Sequence, residues 1–417
     1  MTSRIEADYW IETGSDPQRA AETMAGEQSS GTFVPVPGET PELKLRAAAR
    51  VESITVVGHV KEPSLPGATA TALDGYVQAH VTVSWPIDNM GPSLPNLWAT
   101  VAGNLFELKA FSGLRLLDIR LPDEFAHANP GPKFSISGTR ALAGVHSGPL
   151  IGTIVKPSVG FNPEQTAALV QTLAQGGIDF VKDDELQADG PHCPFEARVK
   201  AVMQTIKVHA DKTGKKVMYA FNLTGEGDEM RRRHDLVRAL GGTCVMVSVN
   251  SVGMTGMLTL ARHTQLPIHA HRNGWGYLSR MPALGWDYRA WSKFWRVAGA
   301  DHMHVNGLQN KFFESDASVI ASARSLLTPM FQSKSCVSMP VFSSGQGVKQ
   351  PNETYRRLGS ADLIYAAGGG IMGHPDGPKA GVESIRAAWD AAMGGSSIEQ
   401  KARDVPSLAR ALAVDSN

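Results

Sequence analysis

Two regimes of apolar and polar patterning follow one another along this chain. In the first, residues 4–13 (RIEADYWIET) read as a strand, and 47–58 and 74–86 follow as β-rich runs. Within the latter, VQAHVTVSW alternates with the period of two that a half-buried strand needs. Asp16 and Pro17 offer an N-cap and a first helical residue, so a helix is predicted from there to about Gly26. A second helix fits 94–103 and a last strand fits 114–122. The order β-α-β-β-α-β is that of a ferredoxin-like unit. Residues 63–75 read as an internal loop. Residues 122–133 (PDEFAHANPGPK), polar and rich in Pro and Gly, read as a linker.

From about residue 145 the pattern becomes a repeated strand–helix alternation. Eight short apolar runs are candidate strands: 150–156, 178–184, 216–224, 243–250, 266–272, 301–306, 339–345 and 361–370. Each interval can hold a helix. The first is marked by Asn162 as N-cap, Pro163 at the first helical position and Gly176–Gly177 at its end. The last, near 379–393, carries Val382, Ile385 and Trp389 at helical spacing. Eight such units over about 250 residues predict a (β/α)8 TIM barrel. No GxGxxG follows the first strand, which disfavours a dinucleotide fold. The fold class expected is α/β: a ferredoxin-like α+β domain over 1–130 and a barrel over 131–417 that carries the active site.

Composition narrows the classes. Lys+Arg and Asp+Glu both count 40, so the formal net charge is zero, and neither a general nucleic-acid binder nor an acidic tail protein is indicated. Hydrophobic residues at 42% and charged residues at 19% describe a chain that folds. The three cysteines, Cys193, Cys244 and Cys336, form neither a CxxC motif nor a disulfide framework, which points to a reducing, cytoplasmic home. The start, MTSRIEADYW, lacks the apolar core of a signal peptide, and no run of 18 apolar residues is present.

In a barrel the reactive groups stand at the C-terminal ends of the strands. Here those ends are polar: Lys156; Lys182, Asp183, Asp184 and Glu185; Asn222; His269, His271 and Arg272; His302 and His304; Ser343 and Ser344; then Gly368–Gly370. Any one of them could cap a helix, but seven converging on one mouth exceed that explanation. The KDDE run is the sharpest signal. Its carboxylates, without cysteine, suit a hard ion such as Mg2+, and the alternative is a buried Lys–Asp pair shaping the strand end. In HAHR and HMH the reading puts His271 and His304 at the mouth, with His269 and His302 one layer deeper. The triple glycine at the eighth strand and SSG (343–345) at the seventh suggest a phosphate cradle, with a plain tight turn as the alternative. Arg272, a forked donor, would serve a second phosphate or a carboxylate, unless it makes a structural ion pair.

These residues in this order resemble the RuBisCO large-chain superfamily. The match runs from GEQSSGTF (26–33) through AGN (102–104), GTIVKP (152–157), GGIDFVKDDE (176–185), HAHR (269–272) and DHMHVNG (301–307) to GGGIMGHPDGP (368–378). The resemblance implies that Lys182 takes up CO2 as a carbamate and completes a Mg2+ site with Asp184 and Glu185. It implies that Lys156 moves a proton at the substrate, and that His271, His304 and Lys311 are active-site groups. Arg272, Ser343, Gly345, Gly368 and Gly369 would bind hydroxyl and phosphate groups. Glu27, Thr32 and Asn104 would be lent to the partner subunit's site, which implies a homodimer.

Several departures from the carboxylase pattern bear on the reaction. Ser158 stands where a carboxylase has a second lysine, Ile154 replaces a threonine, Phe33 a tryptophan and Ser344 a glycine. NKFFES replaces a glycine-flanked GKxEG loop, and the chain ends soon after barrel helix 8. The resemblance therefore implies a RuBisCO-like protein of form IV that does not fix CO2. The expected activity is that of a Mg2+-dependent lyase acting through an enolate or enediolate. Because Lys311 is retained, decarboxylation, carboxyl transfer or hydrolysis of a 3-oxo sugar-acid phosphate such as 3-oxo-isoapionate 4-phosphate ranks first. Isomerisation of a methylthioribulose phosphate ranks second and the methionine-salvage enolase third. A non-catalytic regulatory relative is the other class to exclude.

Overall fold

The structure, a computed structural model, describes residues 3–30, 36–68 and 75–414. The chain divides into two compact units: Met1–Pro130 with Gly274–Ala298 and Met330–Ser335, and Gly131–Asn273 with Gly299–Pro329 and Cys336–Asn417.

In the first unit the alternation at the start becomes β1 (Arg4–Thr13), with Ile5, Ala7, Tyr9 and Ile11 wholly buried. β2 (Arg50–Val60), β3 (Tyr76–Pro86) and β4 (Gly113–Arg120) complete an antiparallel sheet in the order β4-β1-β3-β2. This is the ferredoxin-like order that the sequence predicts. The helix Pro17–Glu27 starts as expected, the Asp16 side chain accepting from Arg19 N. The helix Leu94–Ala102 is capped in the same way by Ser93. Two features differ from expectation. A short helix, Pro41–Ala47, was not foreseen; Thr40 caps it. The stretch read as a linker holds a helix, Asp123–Ala128, because its apolar Phe125 is wholly buried, and Lys334 donates to the carbonyls of Ala126, Asn129 and Pro130.

The second unit is a closed parallel barrel. Its first five strands are β5 (Leu150–Ile154), β6 (Phe180–Lys182), β7 (Met218–Asn222), β8 (Cys244–Ser248) and β9 (Ile268–His271). The chain then forms β10 (Leu284–Trp286), which pairs in parallel with β4 as a fifth strand of the first unit's sheet. It returns to the barrel as β11 (His302–His304), β12 (Met339–Phe342) and β13 (Ile364–Ala366). β13 bonds to β5 and β9 to β11, so no edge is left. Side chains fill the interior: Leu150, Phe180, Met218, Met246, Met339, Val341 and Ile364 are each 0% exposed. The helix Pro163–Gln175 carries the anticipated cap as a full capping box between Asn162 and Gln165.

The segment around β10 joins the first unit for a packing reason. Trp286, Phe294 and Trp295 stack with Trp98, with ring centroids 4.5, 5.1 and 6.1 Å from Trp98 for Trp286, Phe294 and Trp295 respectively. Among the described residues no helix is long and apolar enough to cross a membrane. All three cysteines are buried and free.

Candidate active site

The alternation of β6 continues past its end and divides the KDDE run. Asp183 turns away from the mouth and is fully engaged. Its carboxylate accepts from Tyr219 Oη at 2.5 Å, Arg198 Nε at 3.3 Å and Asn222 N at 2.9 Å. Burial, then the Asp183 charge, pushes the Tyr219 hydroxyl well above its ordinary value. Lys182, Asp184 and Glu185 gather on the other side. Lys182 Nζ, 1% exposed, donates to the Asp183 carbonyl at 2.9 Å and to Glu185 Oε2 at 3.2 Å. Lys156 follows β5, the neighbour of β6, and its Nζ donates to Asp184 Oδ2 at 2.6 Å and Ser158 Oγ at 2.7 Å. Asn222, at the end of β7, donates to the carbonyls of Asp184 and Glu185 at 3.3 and 3.2 Å and so holds the turn that presents both carboxylates.

The electrostatics of this cluster are unequal. Burial lowers the Lys182 amine from its ordinary value, against the pull of Glu185 and Asp184. Burial also pushes the Glu185 carboxyl up, but His271 and Lys182 outweigh it and bring it down to about 2. His271 Nε2 lies 3.5 Å from Glu185 Oε2, and burial, helped by Lys182, lowers this ring to about 4. Asn273 N donates to His271 Nδ1 at 3.2 Å, so the neutral ring carries its proton on Nε2 and points it at Glu185.

The remaining histidines form a directed chain. His269 Nε2 lies 2.8 Å from His304 Nε2, and His304 Nδ1 lies 3.0 Å from Ser343 Oγ. Burial holds both rings well below their ordinary values, so both are neutral. His269 Nδ1 is buried without a partner among the described residues. An orphaned N–H is costlier than an orphaned lone pair, which places the proton of His269 on Nε2. His304 then accepts on Nε2 and donates from Nδ1, so the Ser343 hydroxyl accepts from it and points its own hydrogen elsewhere, with Ser344 Oγ 3.5 Å away. His302 lies deeper, as expected, bonded to Thr139 Oγ1 at 2.8 Å.

Arg272 begins the loop after β9, and its Nη2 donates to Glu314 Oε2 at 2.8 Å. Glu314 also accepts from Asn306 Nδ2 at 2.7 Å and Ser318 Oγ at 2.9 Å. Lys311 is exposed; its Nζ sits 5.4 Å from the Phe312 ring and shares no hydrogen bond with the Lys156–Glu185 cluster among the described residues. Its backbone N donates to Ser344 O at 3.4 Å, tying the loop to the SSG turn. Ser344 has φ +70°, which explains why glycine suits that position; here its Oγ donates to Asn306 Oδ1 at 2.9 Å. Gly345 lies beside it in the same left-handed region. The triple glycine opens a short helix, Gly368–Met372, rather than a bare loop. Gly368 and Gly369 have room for a ligand, whereas a Cβ on Gly370 would sit 2.7 Å from Gln346 O, so Gly370 answers to packing. In the first unit Asn104 Nδ2 reaches Glu27 Oε1 at 3.5 Å, and Glu27 lines an open depression with Ser29, Ser30 and Asn89. Thr32 and Phe33 lie outside the described residues.

The sequence reading did not single out Glu314, Asn306, Arg198 or Tyr219. The departure of NKFFES from the family loop was the one local signal for Glu314. A separate cluster, His234, Asp235 and His263, has metal-like composition. Gln265 N donates to His234 Nε2 at 3.2 Å, which leaves Nδ1 protonated toward Asp235, so this is a hydrogen-bonded cap and not a ligand set.

Comparison with known proteins bears on this geometry. A family model described as ribulose bisphosphate carboxylase large chain, catalytic domain, matches residues 135–414, and one described as its N-terminal domain matches residues 5–125. A protein of Xanthobacter autotrophicus named 3-oxo-isoapionate-4-phosphate transcarboxylase/hydrolase is 60% identical over 412 residues, covering 99% of both chains. One of Rhizobium etli named 3-oxo-isoapionate-4-phosphate decarboxylase is 44% identical, covering 98% of both. The crystal structure of a rubisco-like protein from Burkholderia fungorum superposes with a TM-score of 0.92 at 44% identity, covering 98% of this chain and 99% of that one. With both domain models matched and these relatives aligned end to end, the chain belongs to the ribulose bisphosphate carboxylase large-chain family, on its RuBisCO-like branch.

Proposed function

We propose that this chain is a Mg2+-dependent enzyme that breaks the bond to the carboxyl group of a 3-oxo sugar-acid phosphate, such as 3-oxo-isoapionate 4-phosphate. The observation that carries this reading is the pairing at the ends of β5 and β6: Lys156 on Asp184 at 2.6 Å, beside the buried Lys182 on Glu185. It joins a proton-bearing lysine to a hard-oxygen donor set at one mouth.

The donor set fits Mg2+. Asp184 and Glu185 now each hold a lysine amine, and burial favours the neutral form of the Lys182 amine that reaction with CO2 requires. Asp184, Glu185 and a carbamate on Lys182 would hold the ion, which would supply positive charge where the substrate's keto oxygen gains negative charge. As the carbon–carbon bond breaks, its electron pair moves onto the carbon skeleton as an enolate and the carboxyl leaves as CO2. Lys156 then delivers a proton to that carbon, giving the ketone. Neutral His271 and His304 and the Ser343 hydroxyl orient the substrate's oxygens, Gly368, Gly369 and Gly345 receive its phosphate, and Lys311 meets the departing carboxylate.

The name of the 60% identical relative favours a second outcome: the carboxyl passes to an acceptor carbon that gives up a proton, or water adds to the keto carbon and the bond from that carbon to the carboxyl-bearing carbon breaks, leaving two acids. Purified protein with Mg2+, bicarbonate and carboxyl-labelled 3-oxo-isoapionate 4-phosphate separates the two, since decarboxylation releases labelled CO2 and transfer or hydrolysis keeps the label in an acid. Unchanged substrate refutes both. The reading also includes a homodimer in which Glu27, Thr32 and Asn104 serve the partner's site. Mixing inactive Glu27→Gln subunits with inactive Lys182→Ala subunits then restores part of the activity; no recovery on mixing refutes it.

A further inference from the structure

The ion pair between Arg272 and Glu314 joins the loop after β9 to the loop after β11. The two side chains are 9% and 7% exposed and meet at 2.8 Å. Among the described residues three side chains donate to Glu314, and of these Arg272 alone is charged; Asn306 and Ser318 are neutral. They hold both oxygens of the carboxylate, so it cannot swing away without breaking three hydrogen bonds, two of them part-buried. Arg272 reaches the mouth with its charge already matched by a fixed anion.

We propose that Glu314 is a specificity-determining residue: it cancels Arg272, so this end of the mouth admits an uncharged or weakly charged group and turns away a second phosphate. The proposal rests on the reading of the mouth as a sugar-phosphate site. An arginine that binds phosphate well presents both arms of its fork to the dianion. Here Glu314 holds Nη2, and a phosphate drawn to Arg272 would lie beside a carboxylate of like charge in a poorly solvated site. The first phosphate would lie at Gly368–Gly369 and Gly345. The site therefore selects a monophosphate, by repulsion as much as by attraction.

Calorimetric titration of the whole protein with Mg2+ tests this, using two unreactive probes, a pentitol monophosphate and the corresponding 1,5-bisphosphate. Wild-type protein binds the monophosphate at least as tightly as the bisphosphate. Glu314→Gln, isosteric and uncharged, tightens the bisphosphate at least tenfold and changes the monophosphate less than threefold. Adding Arg272→Gln to that variant removes the gain. If Glu314→Gln melts below the assay temperature, Glu314→Ala is titrated with the same expectation. An unchanged or weaker bisphosphate in the variant overturns the proposal, as does equal tightening of both probes or the absence of binding by either. No turnover is needed, so failure of the decarboxylation assay leaves this titration decisive.

Discussion

Asp183 is the member of the KDDE run that faces away from the mouth, and replacing it with asparagine tests how the metal-binding turn is held. Asp183→Asn keeps the shape and removes the charge. Arg198, 0% exposed, then loses the one carboxylate that partners it among the described residues and keeps two carbonyls, Cys193 O at 3.0 Å and Ala188 O at 2.7 Å. Removing one partner of a buried ion pair costs about 3–5 kcal/mol, and the retained carbonyl contacts favour the lower figure. An unfolding entropy of about 2 cal/mol/K per residue over the roughly 250 residues of the barrel unit converts 3 kcal/mol to a fall in Tm of about 5–6 °C. Function should suffer through a different route. Asn222 N donates to Asp183 while its side chain holds the carbonyls of Asp184 and Glu185. Loosening that support should raise the Mg2+ concentration for half-maximal activity about 10–100-fold, the usual effect of disturbing the groups behind a metal ligand. Calorimetry gives the Tm and a Mg2+ titration of turnover gives the second number. A variant with wild-type Tm and wild-type Mg2+ dependence refutes the argument.

Three further outcomes follow from the geometry. Lys156→Met removes the proposed proton donor and takes the cation from Asp184, which is 2% exposed, so turnover should drop at least ~100-fold and the Tm should fall as well; activity within tenfold of wild type contradicts the role. Chelation with EDTA should abolish turnover, and Mg2+ with bicarbonate should restore it; full activity after exhaustive chelation excludes the metal. His302 is buried and neutral, and burial alone lowers it to about 3. Its folded value lies below the unfolded one, so its stabilising effect is present above about pH 6.5 and is lost as pH falls toward 3, by at most about 5 kcal/mol. His302→Asn should therefore flatten Tm against pH between 6.5 and 4, and a curve as steep as that of wild type defeats the assignment.

The sequence by itself determined much of this protein. The alternation in 4–13 and the eight apolar runs after 145 specify strands because side-chain period is a local property of the backbone. Asp16 and Asn162 mark helix starts because a cap bonds only three residues away. Lys156, Lys182, Asp184, Glu185, His271 and Ser343 were legible for the same reason, as polar groups where apolar runs stop. Tertiary structure alone decided the rest. Trp98 and Trp286 meet across nearly two hundred residues, and their stacking draws β10 into the first sheet, a preference that the amphipathic pattern of Tyr288–Ala298 does not reveal. Asp183 and Asp184 are chemically alike, yet Arg198 and Tyr219 claim one and Lys156 the other. Glu314 looked like a loop residue until Arg272 and Asn306 were found on it. Such pairings depend on the register at which the barrel closes, which is set by the packing of all eight strands at once and not by any short stretch of chain.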